Sequence, residues 1–199
     1  MLHRMAAPLI VALVLSSAHA TAATRDVAVD DNVFRPATAG VAVDDQVHWT
    51  RANGAFGDHN VQAEKNLFSS GPTTAGPINF TRRFSSGTFS YFCLNHRGSG
   101  MRGKVKVPPK LSAKPSGANF SVKWATGRTN TGSKFDVQFR VGSGKWRKWR
   151  TDTGTAKGVF GKGGRPVRPV NGKRYSIRVR SQKKARRQSG WSPLRSIKL

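Results

Sequence analysis

The sequence predicts an all-β chain of two sandwiches in series. Apolar and polar residues alternate with a period of two along the chain, no segment sustains a helical stripe, and Gly, Pro, Asn and Ser separate the alternating runs. The length agrees. Taking a 23-residue leader from 199 residues leaves room for two compact domains of about 90 residues each.

Met1 to Ala23 has a basic start at Arg4, an apolar run from Leu9 to Leu15 and small residues around Ala18-His19-Ala20. This is the composition of a cleaved signal peptide, and it predicts an extracellular, cell-wall-associated or periplasmic protein. The run is too short to cross a bilayer, and no later segment approaches ~20 apolar residues, so no transmembrane segment is expected. Residues 24–108 form the first domain, with strands at Val27/Val29, Val41/Val43, Val47/Trp49, Ile78/Phe80, Phe89/Tyr91 and Val105/Val107. Residues 109–116 are Pro-rich and read as a semi-rigid linker. Residues 117–199 form the second domain, alternating at Phe120/Val122/Trp124, Phe135/Val137/Phe139/Val141 and Tyr175/Ile177/Val179 before a last strand that follows Ser189-Gly-Trp191-Ser-Pro193.

Charge separates the two domains. The chain carries a formal +26, yet residues 24–109 hold 10 basic and 7 acidic side chains, whereas residues 110–199 hold 24 and 2. One Cys and five His exclude a disulfide framework, a multi-thiolate zinc site and an iron–sulfur cluster. A bound metal must use mixed ligands.

The chemistry concentrates in Phe89-Ser-Tyr-Phe-Cys93-Leu-Asn-His96-Arg-Gly-Ser-Gly-Met101, a Cys-x2-His-x4-Met loop at the end of a strand. Thiolate, imidazole and thioether together suit copper in both oxidation states, and one loop can deliver all three to a point. A trigonal site needs one more imidazole, which Gly57-Asp58-His59-Asn60-Val61 offers on an earlier loop. His48 alternates opposite Val47 and Trp49 and reads as a surface residue.

These residues, with Phe34-x-Pro36 and Val47-x-Trp49, resemble the blue-copper family in its plastocyanin and pseudoazurin branch. The resemblance covers about 80 residues. It implies a cupredoxin Greek-key sandwich holding one type 1 copper ion, with His59, Cys93 and His96 equatorial and Met101 axial. It also implies electron transfer rather than catalysis, since four ligands leave no open position; copper storage by the same site is the alternative. Asn60 is implied to tie the ligand loops together and to direct its N–H at the cysteine sulfur. The branch has Pro before the loop His, where this chain has Asn95, whose N–H is an extra donor for that sulfur. Donors to a thiolate favour the reduced site, so Asn95→Pro is expected to lower the reduction potential. Arg97 and Arg102 flank the loop with Leu94 nearby, which favours an acidic redox partner protein.

Trp124, Tyr175 and the Trp191 segment resemble a fibronectin type III (immunoglobulin-like) domain. If its apolar alternants face the core, Arg140, Arg174, Arg178 and Arg180 face outward, with Lys145, Arg147, Lys148 and Arg150 at their edge and Lys183, Lys184, Arg186 and Arg187 on a hairpin. Trp146 and Trp149, three apart, point to opposite faces, and Trp191 is expected across the arginines as a cation–π stack. A surface this basic predicts non-specific, salt-sensitive binding to a polyanion: a cell-wall polymer, polysaccharide, membrane surface or extracellular nucleic acid. The remaining alternative is a polyanion-binding module with copper incidental.

Overall fold

The computed structural model describes residues 22–113, 117–129, 131–184 and 187–199, with the Lys184 side chain excluded. Residues 1–21 of the leader and Arg186 therefore lie outside the described residues. Within them the first half folds as β1 (Thr24–Asp30), β2 (Val33–Arg35), β3 (Thr38–Gly40), β4 (Gln46–Arg51), β5 (Gln62–Ala63), β6 (Asn79–Arg83), β7 (Gly87–Phe92) and β8 (Arg102–Val107). Two sheets result, ordered β2-β1-β4-β6 and β3-β8-β7-β5. The pairs β1/β4 and β3/β8 are parallel, so the sandwich is mixed rather than wholly antiparallel. Val27, Val29, Trp49, Phe89, Tyr91, Val105 and Val107 fill the space between the sheets, as period-two alternation requires.

The second half continues with β9 (Lys110–Ala113), β10 (Phe120–Lys123), β11 (Lys134–Val141), β12 (Arg147–Thr153), β13 (Lys157–Phe160), β14 (Arg174–Lys184), β15 (Arg187–Gln188) and β16 (Arg195–Lys198). A three-stranded sheet, β13-β10-β9, faces a larger one, β12-β11-β14-β15, whose long β14 also pairs β16. Phe120, Trp124, Phe139, Phe160, Tyr175 and Ile177 are buried between them. The chain is all-β.

Two expected local features differ. Val41 and Val43 lie outside any strand because the chain turns at Asp44, which has φ of 79°, while the Asp45 carboxylate accepts the Ala42 and Ala23 N–H groups. Their side chains still pack against the core from that turn. The second difference is in the linker, where Lys110–Ala113 form β9 and pair with β10, Leu111 turning toward the second core. Pro-rich composition hid a short strand.

The seam between the halves is built rather than loose. Thr88 and Gly190 exchange both backbone hydrogen bonds (3.0 and 2.8 Å), and the Ser86 N–H donates to the Trp124 carbonyl at 2.7 Å. The second half thus borrows the edge of β7, as in strand addition. Behind this edge the Ser85 N–H donates to Thr131 Oγ1 (3.0 Å), Thr131 Oγ1 meets Ser85 Oγ (2.9 Å), Ser85 Oγ meets Ser181 Oγ (2.7 Å), and Ser181 donates to the Ser86 carbonyl (2.7 Å). With one proton per hydroxyl, this is a single polarised chain ending on a carbonyl. Ser85, Thr131 and Ser181 are fully buried. Gly87 permits the approach, since a Cβ there would lie 2.6 Å from Ser189 Oγ. At a second point Asp44 accepts from Thr126 Oγ1 at 2.7 Å and pairs with Arg128.

Candidate metal centre

Strand β7 ends at Phe92, so its inward alternation carries through Tyr91 to Cys93, which is fully buried. The chain then turns over residues 94–100, closed by Gly100 N–H to the Arg97 carbonyl (3.3 Å) and Met101 N–H to the His96 carbonyl (3.0 Å). Cys93 N–H bonds the Met101 carbonyl at 3.2 Å, returning Met101, also fully buried, to the same end of the sandwich. His59 arrives on the loop before β5, bridged in both directions to Thr74 at 3.0 Å.

Potential donor atoms of His59, Cys93 and His96 all lie within 4.8 Å of one another. Cys93 Sγ is 3.8 Å from His59 Nδ1 and 3.5 Å from His96 Nδ1, and the imidazole centroids are 4.7 Å apart. His59 Nε2 lies 2.6 Å from the Phe56 carbonyl. A carbonyl only accepts, so Nε2 carries the proton and Nδ1 presents its lone pair toward the sulfur. Two nitrogens and a sulfur therefore converge, His59 and Cys93 buried and His96 half-buried. This donor chemistry fits copper, and Met101 contributes a thioether from the same core.

The surroundings hold this arrangement. Asn60 is fully buried; its Oδ1 accepts the Leu94 N–H at 2.9 Å and its Nδ2 donates to the Gly71 carbonyl at 2.8 Å, linking the His59 loop to the Cys93 loop. Gly57, at φ +75°, brings its backbone beside both imidazoles; a Cβ there would touch His96 Cε1 at 3.7 Å. Arg51 braces that loop with donations to the Ala55 and Gly57 carbonyls at 2.7 and 2.8 Å. Tyr91, two residues before Cys93, is walled in by Trp49 and Phe34, and burial pushes its phenol up to about 12.

Asn95 is placed differently from the expectation. It is exposed on the turn, and among the described residues the polar contacts of Cys93 Sγ are the Asp58 carbonyl (3.8 Å) and the two imidazoles, with no N–H of Asn60 or Asn95 among them. The Leu94 amide goes to Asn60 Oδ1 instead, and the Gly100 and Met101 amides close onto the Arg97 and His96 carbonyls. The chain reading also missed the Phe56 carbonyl, because a backbone acceptor carries no residue signature. Glu64 was missed too, although it pairs with Arg97 at 3.1 Å and Arg102 at 3.9 Å. Its signal was available: an acidic residue in a strongly basic chain.

His48 is half-buried on β4, 3.1 Å from Asp26 and 2.8 Å from Asn79, away from the cluster. In the basic half, β11 and β14 are antiparallel neighbours in one sheet. Trp149 is buried, whereas Trp146 lies beneath Arg140 (4.9 Å) and Arg178 (4.2 Å); Arg178 and Arg180 also stack on Trp191 at 4.6 and 4.9 Å. Arg180 is paired with Asp136 at 2.7 Å, and Arg178 donates to Gln138 Oε1. Burial lowers the Arg178 pKa, as do the charges of Arg140 and Arg180. Those three arginines are half-buried parts of a ladder, while Lys145, Arg147, Lys148, Arg150, Arg174, Lys183 and Arg187 stand exposed.

A His2Cys cluster beside a buried methionine, at one end of a β-sandwich, defines a mixed-ligand metal centre. No family model matches the sequence. Solved structures similar to part of the chain include oxidised plastocyanin from Dryopteris crassirhizoma (18% identity, 42% of this chain and 99% of that chain, TM-score 0.33). Others are pseudoazurin from Hyphomicrobium denitrificans (21%, 43% and 75%, TM-score 0.35) and the Cu(I) form of an amicyanin mutant (26%, 46% and 87%, TM-score 0.36). Among the described residues, no helix is long and apolar enough to cross a membrane.

Proposed function

We propose that the protein is an exported type 1 copper protein that passes single electrons, held on an anionic surface by its basic half. The observation that carries this is the convergence of a buried thiol, a buried imidazole and a half-buried one, with His59 Nδ1 freed by the Phe56 carbonyl. Bound copper supplies a one-electron Cu(II)/Cu(I) couple. His59, Cys93, His96 and Met101 would hold the copper ion in this reading. The residues around them supply rigidity. Asn60 locks two loops, Gly57 and Arg51 fix a third, and the aromatic wall excludes water, so the donors need not rearrange between oxidation states. The exposed cations of β12 and the β14–β15 hairpin are the anionic-surface contacts.

Copper(II) added to the full chain should give an intense visible band that Cys93→Ser abolishes, with fast reversible voltammetry. A blue protein with sluggish, irreversible voltammetry indicates copper storage instead. A colourless protein, or one whose colour survives Cys93→Ser, overturns the copper reading.

A further inference from the structure

The geometry points to a second role for the basic half: its β14–β15 hairpin extends the surface around the metal centre, so that an acidic redox protein docks on both halves at once. This rests on the electron-transfer reading above and names the partner class and its footprint.

Strand β7 joins the two regions. Its last residues pair with β5, through Tyr91 with Ala63 and Phe92 with Gln62, while Thr88 pairs with Gly190 of the second half. The chain leading to Gly190 consequently runs past the 3-10 turn Glu64–Asn66, with Cα atoms of β15 and of that turn within 8 Å. The turn begins one residue after Ala63, which faces Tyr91, so Glu64 is level with Ser90, three residues or ~10 Å from Cys93 along β7. That is about one Debye length at 0.1 M ionic strength, ~10 Å.

Glu64 occupies the middle of this region. It holds Arg97 and reaches Arg102 from the ligand-loop side, and Arg97 lies 4.2 Å over Phe92. Arg97 and Arg102 at that carboxylate and its neighbour Lys65 are exposed, as are Arg187 on the adjoining β15 and Lys183 on β14. Phe56 and Leu94, at 80% and 51% exposure, come from the loops that carry His59 and His96. An apolar contact bordered by cations from two domains matches a folded protein with an apolar port ringed by carboxylates. The buried hydroxyl chain at the seam fixes the two sets of cations relative to each other.

The test uses the isotope-labelled, metal-free full chain titrated with hexacyanochromate(III), a paramagnetic anion inert to electron exchange. Amide signals of Arg97 and Arg102 should broaden over the same concentration range as those of Lys183 and Arg187, and the paired change Lys183→Glu with Arg187→Glu should weaken the anion's affinity at Arg97 several-fold. With copper bound, one electron passes from the reduced protein to hexacyanoferrate(III), giving hexacyanoferrate(II). The same variant should slow that step several-fold, more than Lys148→Glu with Arg150→Glu, an equal charge change on β12. Broadening at Arg97 and Arg102 without the hairpin, or unchanged affinity at Arg97 in the hairpin variant, overturns the inference. So does a variant whose only change is weaker retention on immobilised DNA, which would assign the hairpin to polymer binding. A colourless copper-loaded protein with intact composite broadening removes the electron-transfer reading and leaves the shared surface standing.

Discussion

Asn60→Ala separates the metal ligands from the groups that position them. The side chain makes two hydrogen bonds, to the Leu94 N–H and the Gly71 carbonyl, and is itself fully buried. Removing it leaves two backbone groups without these partners. A buried unsatisfied group costs about 1–3 kcal/mol, and the exposure of Leu94 and partial exposure of Gly71 let water recover part of it. The metal-free protein should lose about 2–3 kcal/mol, read as a lower urea midpoint at unchanged slope. The ligands all remain, so a copper band should persist. Affinity is another matter, because the Cys93 loop loses its tie to the His59 loop and must be ordered by the metal itself; a fall of about 10–100-fold in competition with a copper chelator is expected. Affinity within twofold of the parent, at the predicted loss of stability, would show that Asn60 supports the fold and not the centre. Unchanged stability would refute the hydrogen-bond argument itself.

Ser181→Ala breaks the hydroxyl chain at the seam, strands Ser85 Oγ–H and the Ser86 carbonyl, and should cost about 2–4 kcal/mol by chemical denaturation. The parent should unfold in one transition; two well-separated transitions would mean that the seam does not couple the halves. Asp44 is held below the ordinary carboxylate value of 3.8: burial opposes this, but hydrogen bonds from Thr126 and Arg128 and the charges of Arg128 and Arg83 outweigh it. Because the folded value is depressed, its contribution is complete above the unfolded value of 3.8 and is lost as pH falls through the folded one. Asp44→Asn should therefore flatten the decline in stability below pH 3.8, and an acid limb identical to the parent's would count against it. Trp191→Ala removes one side of the stacks on Arg178 and Arg180 and should cost about 1–2 kcal/mol in thermal or urea unfolding, with the visible copper band unchanged.

The clustered residues were legible because metal-binding residue types carry a signature that spacing amplifies: Cys93, His96 and Met101 lie along one turn, and a loop histidine, His59, joins Cys93 and His96. Alternation likewise reported Val27/Val29, Phe89/Tyr91 and Tyr175/Ile177, since one buried face forces period two. What the chain could not report was work done by groups without signatures. The Phe56 carbonyl that sets the His59 tautomer belongs to a residue whose ring is 80% exposed. Ser85, Ser86, Thr131 and Ser181 look like loop and edge residues until the fold brings positions ~100 apart in sequence together. Lys110–Ala113 alternates over only four residues beside two prolines, too short to outweigh linker composition.

The seam changes what the division of charge means. Two domains on a flexible tether would let the basic half hold a surface while the metal centre searched for partners independently. Here β7 carries the metal centre at one end and the second half's backbone at the other, with fully buried hydroxyls behind the joint. Separating the halves would expose the β7 edge at Thr88 and leave Ser85, Ser86 and Ser181 without partners. Separation would exchange these buried hydrogen bonds for ones to water, each exchange costing about 0.5–1.5 kcal/mol, and together they resist reorientation of the halves. The edge at His59, Cys93 and His96 therefore keeps a set direction relative to the basic half, whose exposed cations act from fixed positions on whatever approaches that edge.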